Sequence, residues 1–176
     1  MNRIDKLFQE KKNNILSVYF TAGYPEIDDT VTVLESLERH GVDLVEIGVP
    51  FSDPMADGPV IQASGSRALA NGMSVKRLFE QLDGVREKVS MPLVLMGYLN
   101  PILQFGFDRY CEAAARCGVD GLIIPDLPFV EYMESYKAVA EKHGLHVIML
   151  ITPETSEERI RLIDEQTGGF IYMVSS

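Results

Sequence analysis

The chain has 176 residues, 46% of them hydrophobic, with 26 acidic against 16 basic side chains and a formal net charge of −10. This is enough apolar material for one sizeable core, with no apolar run long enough to span a bilayer, and the negative balance opposes nucleic acid and anionic membrane surfaces. A phosphate-bearing ligand would need a local site of backbone N–H groups rather than a basic patch. The opening stretch MNRIDKLFQEKKNN has no signal-peptide core and predicts a short amphipathic helix with Ile4, Leu7 and Phe8 on one side. A strand at 15–20 follows, then a helix at 30–39 stopped by His40-Gly41, a strand at 44–47, a short helix near 61–71 and a helix at 75–88. Next come a strand at 93–96, a helix at 108–116 stopped by Cys117-Gly118, a strand at 121–125 and a helix at 130–142 stopped by His143-Gly144. A strand at 146–151, a helix at 157–166 and a strand at 170–174 complete the series.

This is the rhythm of parallel βα units, which periodicity alone assigns either to an open doubly wound sheet or to a closed barrel. No GxGxxG fingerprint follows the first strand. Glu46, Asp57, Tyr98, Asp126 and Tyr172 fall at or just past the C-terminal ends of different strands, where barrel enzymes assemble their sites. The expected fold is therefore α/β, a TIM (β/α)8 barrel of which about six βα units are present, forming a single domain over residues 1–176.

The most informative stretch is EIGVPFSDPMADGP at residues 46–59. In LVEIGV the period of two turns Val45 and Ile47 to one side of the strand and Leu44, Glu46 and Gly48 to the other. Glu46 is thereby aimed into an interior. Burial disfavours its charged form and suits it to move protons near neutral pH; the competing reading is a buried Glu paired with a basic residue to hold a loop. Asp53 and Asp57 follow on a loop stiffened by Pro50, Pro54 and Pro59. Cys111 and Cys117 lack metal spacing and are expected to be reduced packing residues of a cytoplasmic protein. His40, His143 and His146 fall at helix ends or a strand start and read as structural.

This loop closely resembles the second active-site loop of the tryptophan synthase alpha subunit family. Also similar to that family, and in its order, are FTAGYP at 20–25, MGYLNP at 96–101, IIPDLP at 123–128, ITPETS at 151–156 and FIYMVSS at 170–176. The resemblance implies a lyase of tryptophan biosynthesis that splits indole-3-glycerol phosphate into indole and glyceraldehyde 3-phosphate by a retro-aldol step. It makes Glu46 the acid and base, and makes Asp57 the acceptor of the indole N–H that stabilises the developing cation. It puts Phe20, Ile61, Met96, Ile123, Ile151 and Tyr172 around the indole ring, with Tyr98 and Tyr172 positioning the carboxylates, although each of these positions taken alone reads more readily as core. Asp126 is either a partner of Tyr172 or Asp57 or a loop-capping residue.

The resemblance implies no metal and no cofactor in this chain, and a pyridoxal-phosphate-dependent beta subunit as partner in an alpha2beta2 assembly. Pro50, Asp53 and Pro54 would form much of that contact, or else the loop is stiff for catalysis alone. Alternatives are a freestanding indole-glycerol-phosphate lyase and a non-catalytic regulatory subunit. The expected phosphate site, on loops after the seventh and eighth barrel strands, falls beyond Ser176, so the natural chain is expected to continue and residues 1–176 alone to be inactive.

Overall fold

A computed structural model describes residues 1–174; Ser175 and Ser176, the end of the FIYMVSS stretch, lie outside the described residues. Seven strand segments alternate with helices: β1 Ser17–Thr21, β2 Leu44–Gly48, β3 Leu93–Met96, β4 Gly121–Ile123, β5 His146–Ile148, β6 Leu150–Ile151 and β7 Tyr172–Met173. The first five form one sheet in sequence order and β6 pairs with β7, every pairing being parallel. The single expected strand at 146–151 is thus two segments interrupted at Met149, which turns the wall from one sheet to the next. The helices are α1 Arg3–Glu10, α2 Asp29–Arg39, α3 Pro59–Ala70, α4 Val75–Leu82, α5 Leu99–Phe105, α6 Phe107–Arg116, α7 Phe129–Glu131, α8 Lys137–Lys142 and α9 Glu157–Gln166. The result is part of an α/β barrel.

Two expectations about helices need correction. The run at 75–88 stops at Leu82, because Gly84 takes a left-handed φ of +73° before a 3-10 turn at Val85–Glu87. The MGYLNP stretch also yields a helix that was not foreseen: α5 accommodates Pro101 in its first turn, where the missing N–H has no intrahelical partner to lose. The helix expected at 130–142 is present but contains a π turn at Tyr132–Tyr136 between α7 and α8.

Alternation along the strands separates two apolar layers. Val45, Ile47, Leu93, Leu95, Leu122 and Val147 pack outward among the helices. Leu44, Val94, Ile123 and Ile148 point to the other face, with Met96, Leu150 and Tyr172 beside them. That inner layer is closed at one end by α1, whose Ile4 is fully buried with Leu7 and Phe8 alongside, as its amphipathic pattern requires. Gly121 makes the close fit possible, since a Cβ there would stand 3.1 Å from Ile4 Cδ1.

Buried polar groups fasten the same end. Asp120, only 3% exposed, accepts from Arg86 Nη2 at 2.7 Å, Arg3 Nη1 at 3.0 Å and the Leu93 N–H at 3.0 Å. Asn2 caps α1 by accepting from the Ile4 N–H at 2.9 Å, and its amide donates to the Asp120 and Gly144 carbonyls. Nothing in the sequence pattern pointed to Asp120, because its partners lie far from it along the chain. Among the described residues no helix is long and apolar enough to cross a membrane.

Candidate active site

Glu46 is central to β2, on the face shared with Leu44 and opposite to Val45 and Ile47, and is 4% exposed. Parallel register sets it beside Tyr19 of β1 and Val94 of β3. Its hydrogen-bond partner is the Ser17 hydroxyl, which donates to Oε1 at 2.6 Å. Among the described residues no basic side chain forms an ion pair with it, so the structural alternative of a loop-holding salt bridge is not what the geometry presents. Burial pushes the Glu46 carboxyl above its ordinary pKa, and the Ser17 hydrogen bond pulls partly against that rise.

Asp57 approaches from the loop between β2 and α3. Two contacts hold this loop over the strand ends: the Ala56 N–H donates to the Tyr98 hydroxyl at 3.0 Å, and Gln62 Nε2 donates to the Asp57 carbonyl at 2.7 Å. The Phe51 ring packs on Tyr98 with centroids 5.4 Å apart. Burial raises the Asp57 pKa, and a hydrogen bond from Tyr98 offsets part of the rise. Tyr172, beside Leu150 in the β6–β7 pair, has its own pKa raised by burial and then by the Glu46 charge. Two carboxylates and a set of phenols therefore lie near enough to feel one another's charge.

Of the residues expected to enclose a flat aromatic ring, Met96, Ile123 and Tyr172 lie on the inner layer with Glu46. Tyr98 is buried just past β3, and Ile61 is half-buried on α3 next to the Asp57 loop. Phe20 and Ile151 do not belong with them. Both pack in the outer layer among the helices, because each is one residue out of phase with the inward positions of its strand. The inward neighbours are Tyr19, in register with Glu46, and Leu150. The signal for Tyr19 was available in the alternation of SVYFT, where Ser17, Tyr19 and Thr21 share a face.

Asp126 is exposed and accepts the Leu99 N–H at 2.8 Å, so of its two readings the loop-capping one is correct: it satisfies the first turn of α5 and thereby steadies Tyr98. Pro50 and Pro54 are half-buried and Asp53 is exposed, with the Ser52 hydroxyl donating to it. Met55, between them and Asp57, is 91% exposed. Cys111 and Cys117 are buried free thiols whose pKa values burial pushes up, Cys111 to about 12. His143 and His146 bond Asp108 and Asp5 at 2.7 and 2.8 Å, and His40 bonds the Ser36 carbonyl, so their partners are not Glu46 or Asp57.

Comparison with known proteins identifies the family. The family sequence model described as tryptophan synthase alpha chain matches residues 5–176. The tryptophan synthase alpha chain of Bacteroides thetaiotaomicron is 62% identical over 176 residues, covering 100% of this chain and 69% of that protein. A crystal structure of tryptophan synthase subunit alpha from Legionella pneumophila superposes with a TM-score of 0.93 at 42% identity, covering 99% of this chain and 68% of that one. A crystal structure of the tryptophan synthase complex from Pyrococcus furiosus gives a TM-score of 0.86 at 38% identity, covering 93% of this chain and 67% of that one. The inward Glu46, the loop that brings Asp57 over the strand ends and a match along the whole sequence lead to one conclusion: this chain belongs to the tryptophan synthase alpha chain family.

Proposed function

We propose that residues 1–176 carry the two catalytic carboxylates of a single barrel domain that cleaves indole-3-glycerol phosphate to indole and glyceraldehyde 3-phosphate. The observation that carries the reading is Glu46: a buried carboxyl on the inner wall with a raised pKa, hydrogen-bonded to a hydroxyl instead of neutralised by a cation. A group of this kind can hold a proton near neutral pH and release it to carbon.

The chemistry needs two proton movements and one stabilised cation. Glu46 delivers a proton to indole C3, which interrupts the aromatic ring and leaves positive charge on the ring nitrogen. Asp57 accepts the indole N–H and stabilises that charge. The side-chain hydroxyl next to the bond then gives its proton to the Glu46 carboxylate, the C–C bond breaks, its electron pair restores the indole, and the hydroxyl carbon becomes the aldehyde. Glu46 ends protonated, ready for another turnover. Met96, Ile123 and Tyr172 supply an apolar wall for the ring, with Tyr98 holding the Asp57 loop. No step calls for a metal or organic cofactor.

The loop through Pro50, Asp53 and Pro54 is assigned to a beta subunit that carries pyridoxal phosphate and consumes the indole, in an alpha2beta2 complex of the cytoplasm. Support comes from two exposed apolar side chains in this segment, Met55 in the loop and Val60, 81% exposed, at the start of α3. The experiment is indole release by the full-length chain carrying Glu46→Gln, alone and with beta subunit. The amide keeps the shape but cannot shuttle a proton, and a loss of about 10²-fold or more is expected. Retention of more than about a tenth of the activity sinks the assignment. In the same assay Asp57→Asn lowers turnover, whereas Asp57→Ala also weakens binding of an indole-type inhibitor.

A further inference from the structure

Three hydroxyls run from the inner wall to α3, and their direction is forced. The Ser64 hydroxyl donates to the Ile61 carbonyl at 3.0 Å, and a carbonyl can only accept. A hydroxyl has one proton, so Ser64 must accept from Thr21, 2.7 Å away. Thr21, its proton committed, must in turn accept from the Tyr19 hydroxyl at 3.5 Å. The Tyr19 proton therefore points along the chain toward α3, and what its oxygen still offers is a lone pair.

The surroundings of that oxygen are those of the candidate site. The Tyr19 ring lies over Gly48, where any Cβ would collide with the ring and its hydroxyl, so β2 leaves the space for it two residues past Glu46. Burial raises the Tyr19 pKa, and the charges of Asp57 and Glu46 add to the rise, so the hydroxyl stays protonated and the direction of the chain is kept. Tyr19 thus presents a neutral acceptor in register with Glu46 and near enough to feel the charges of both carboxylates.

We propose that the Tyr19 oxygen accepts a hydrogen bond from a glycerol hydroxyl of the substrate and so selects the hydroxylated side chain; this rests on the lyase reading above. Asp57 is occupied by the indole N–H and Glu46 by the hydroxyl at the bond that breaks. The second glycerol hydroxyl is the remaining donor, and Tyr19 is an acceptor already oriented for it.

The test compares indole-3-glycerol phosphate with indole-3-propyl phosphate, which keeps the ring and the phosphate but has neither hydroxyl. In the full-length chain, Tyr19→Phe lowers kcat/KM for the first by about tenfold and leaves the dissociation constant of the second unchanged, as expected for one neutral hydrogen bond. Ser64→Ala, which touches no substrate, frees the Thr21 proton to turn back on Tyr19 and reproduces part of the loss for the hydroxylated ligand alone. Should Tyr19→Phe fail to fold, Ser64→Ala carries the test by itself. Equal losses on both ligands, or no loss on either, overturn the proposal. Glu46→Gln measured in parallel keeps the two readings apart: it loses turnover if the lyase assignment holds, whatever Tyr19 does.

Discussion

Ser17 and Glu46 belong to neighbouring strands, and the Ser17 hydroxyl donates to the Glu46 carboxyl at 2.6 Å from one pleat below it. The bond favours the ionised carboxylate, against the larger effect of burial. Removing it with Ser17→Ala should raise the Glu46 pKa further. The limb of the pH–activity profile that belongs to Glu46 then moves to higher pH, which a series of kcat/KM measurements reads directly. A shift to lower pH, or none, contradicts this role for Ser17.

The same raised pKa makes a prediction about stability. Native Glu46 binds its proton more tightly than the unfolded chain does, so between the ordinary glutamate value and the raised native value the folded state holds more protons. The associated stabilisation is present below the unfolded value and is lost as pH rises through the native one. Glu46→Gln is neutral throughout and keeps an oxygen for Ser17. The full-length variant should therefore be more stable than the parent at neutral pH, with the gap closing as pH falls toward the ordinary glutamate range, as denaturant titrations at several pH values will record.

Asp120 joins β4 to Arg86, Arg3 and the start of β3 with almost no exposure to water. Asp120→Ala leaves the largely buried Arg86 guanidinium without its carboxylate, a change expected to remove about 3–5 kcal/mol of unfolding free energy. Arg3→Ala should cost less, about 1 kcal/mol or under, because Arg3 is far more exposed and water replaces its partner. Equal effects in equilibrium unfolding would mean that the cluster acts through α1 docking alone.

Met55→Asp puts a charge on the most exposed apolar side chain of the Asp57 loop without touching either carboxylate. If the loop meets a beta subunit, the dissociation constant measured by calorimetry rises about tenfold or more, while indole release by the full-length chain alone changes little. Unchanged affinity returns the loop to a purely catalytic task.

Much of this was legible in the linear sequence. The alternation of LVEIGV was enough to aim Glu46 inward, because its strand is buried on both faces yet has one chemically distinct residue to mark the phase. For Phe20 the phase was readable in SVYFT, where Ser17, Tyr19 and Thr21 share the face of Glu46, yet resemblance put Phe20 at the ring; for Ile151, in a run with apolar residues on both faces, hydrophobicity gave no phase, and its packing among the helices moves it outward. Asp126 was legible only as a pair of alternatives, since its partner, the Leu99 N–H, sits in a helix that Pro101 disguised. The Asp120 cluster had no local signature at all, its charge partners being 34 and 117 residues away.

The placement of α1 has a consequence for synthesis on the ribosome. Asn2 bonds the Gly144 carbonyl, Asp5 bonds His146, and Phe8 stacks on Phe170 at 5.5 Å between centroids. α1 is thus seated by residues 142 and 141 positions further along the chain and by Phe170. Its apolar face stays uncovered until those residues have been made, since contacts between distant parts of a chain form only after loop closure. Ile4, Leu7 and Phe8 are thus made long before the residues that bury them.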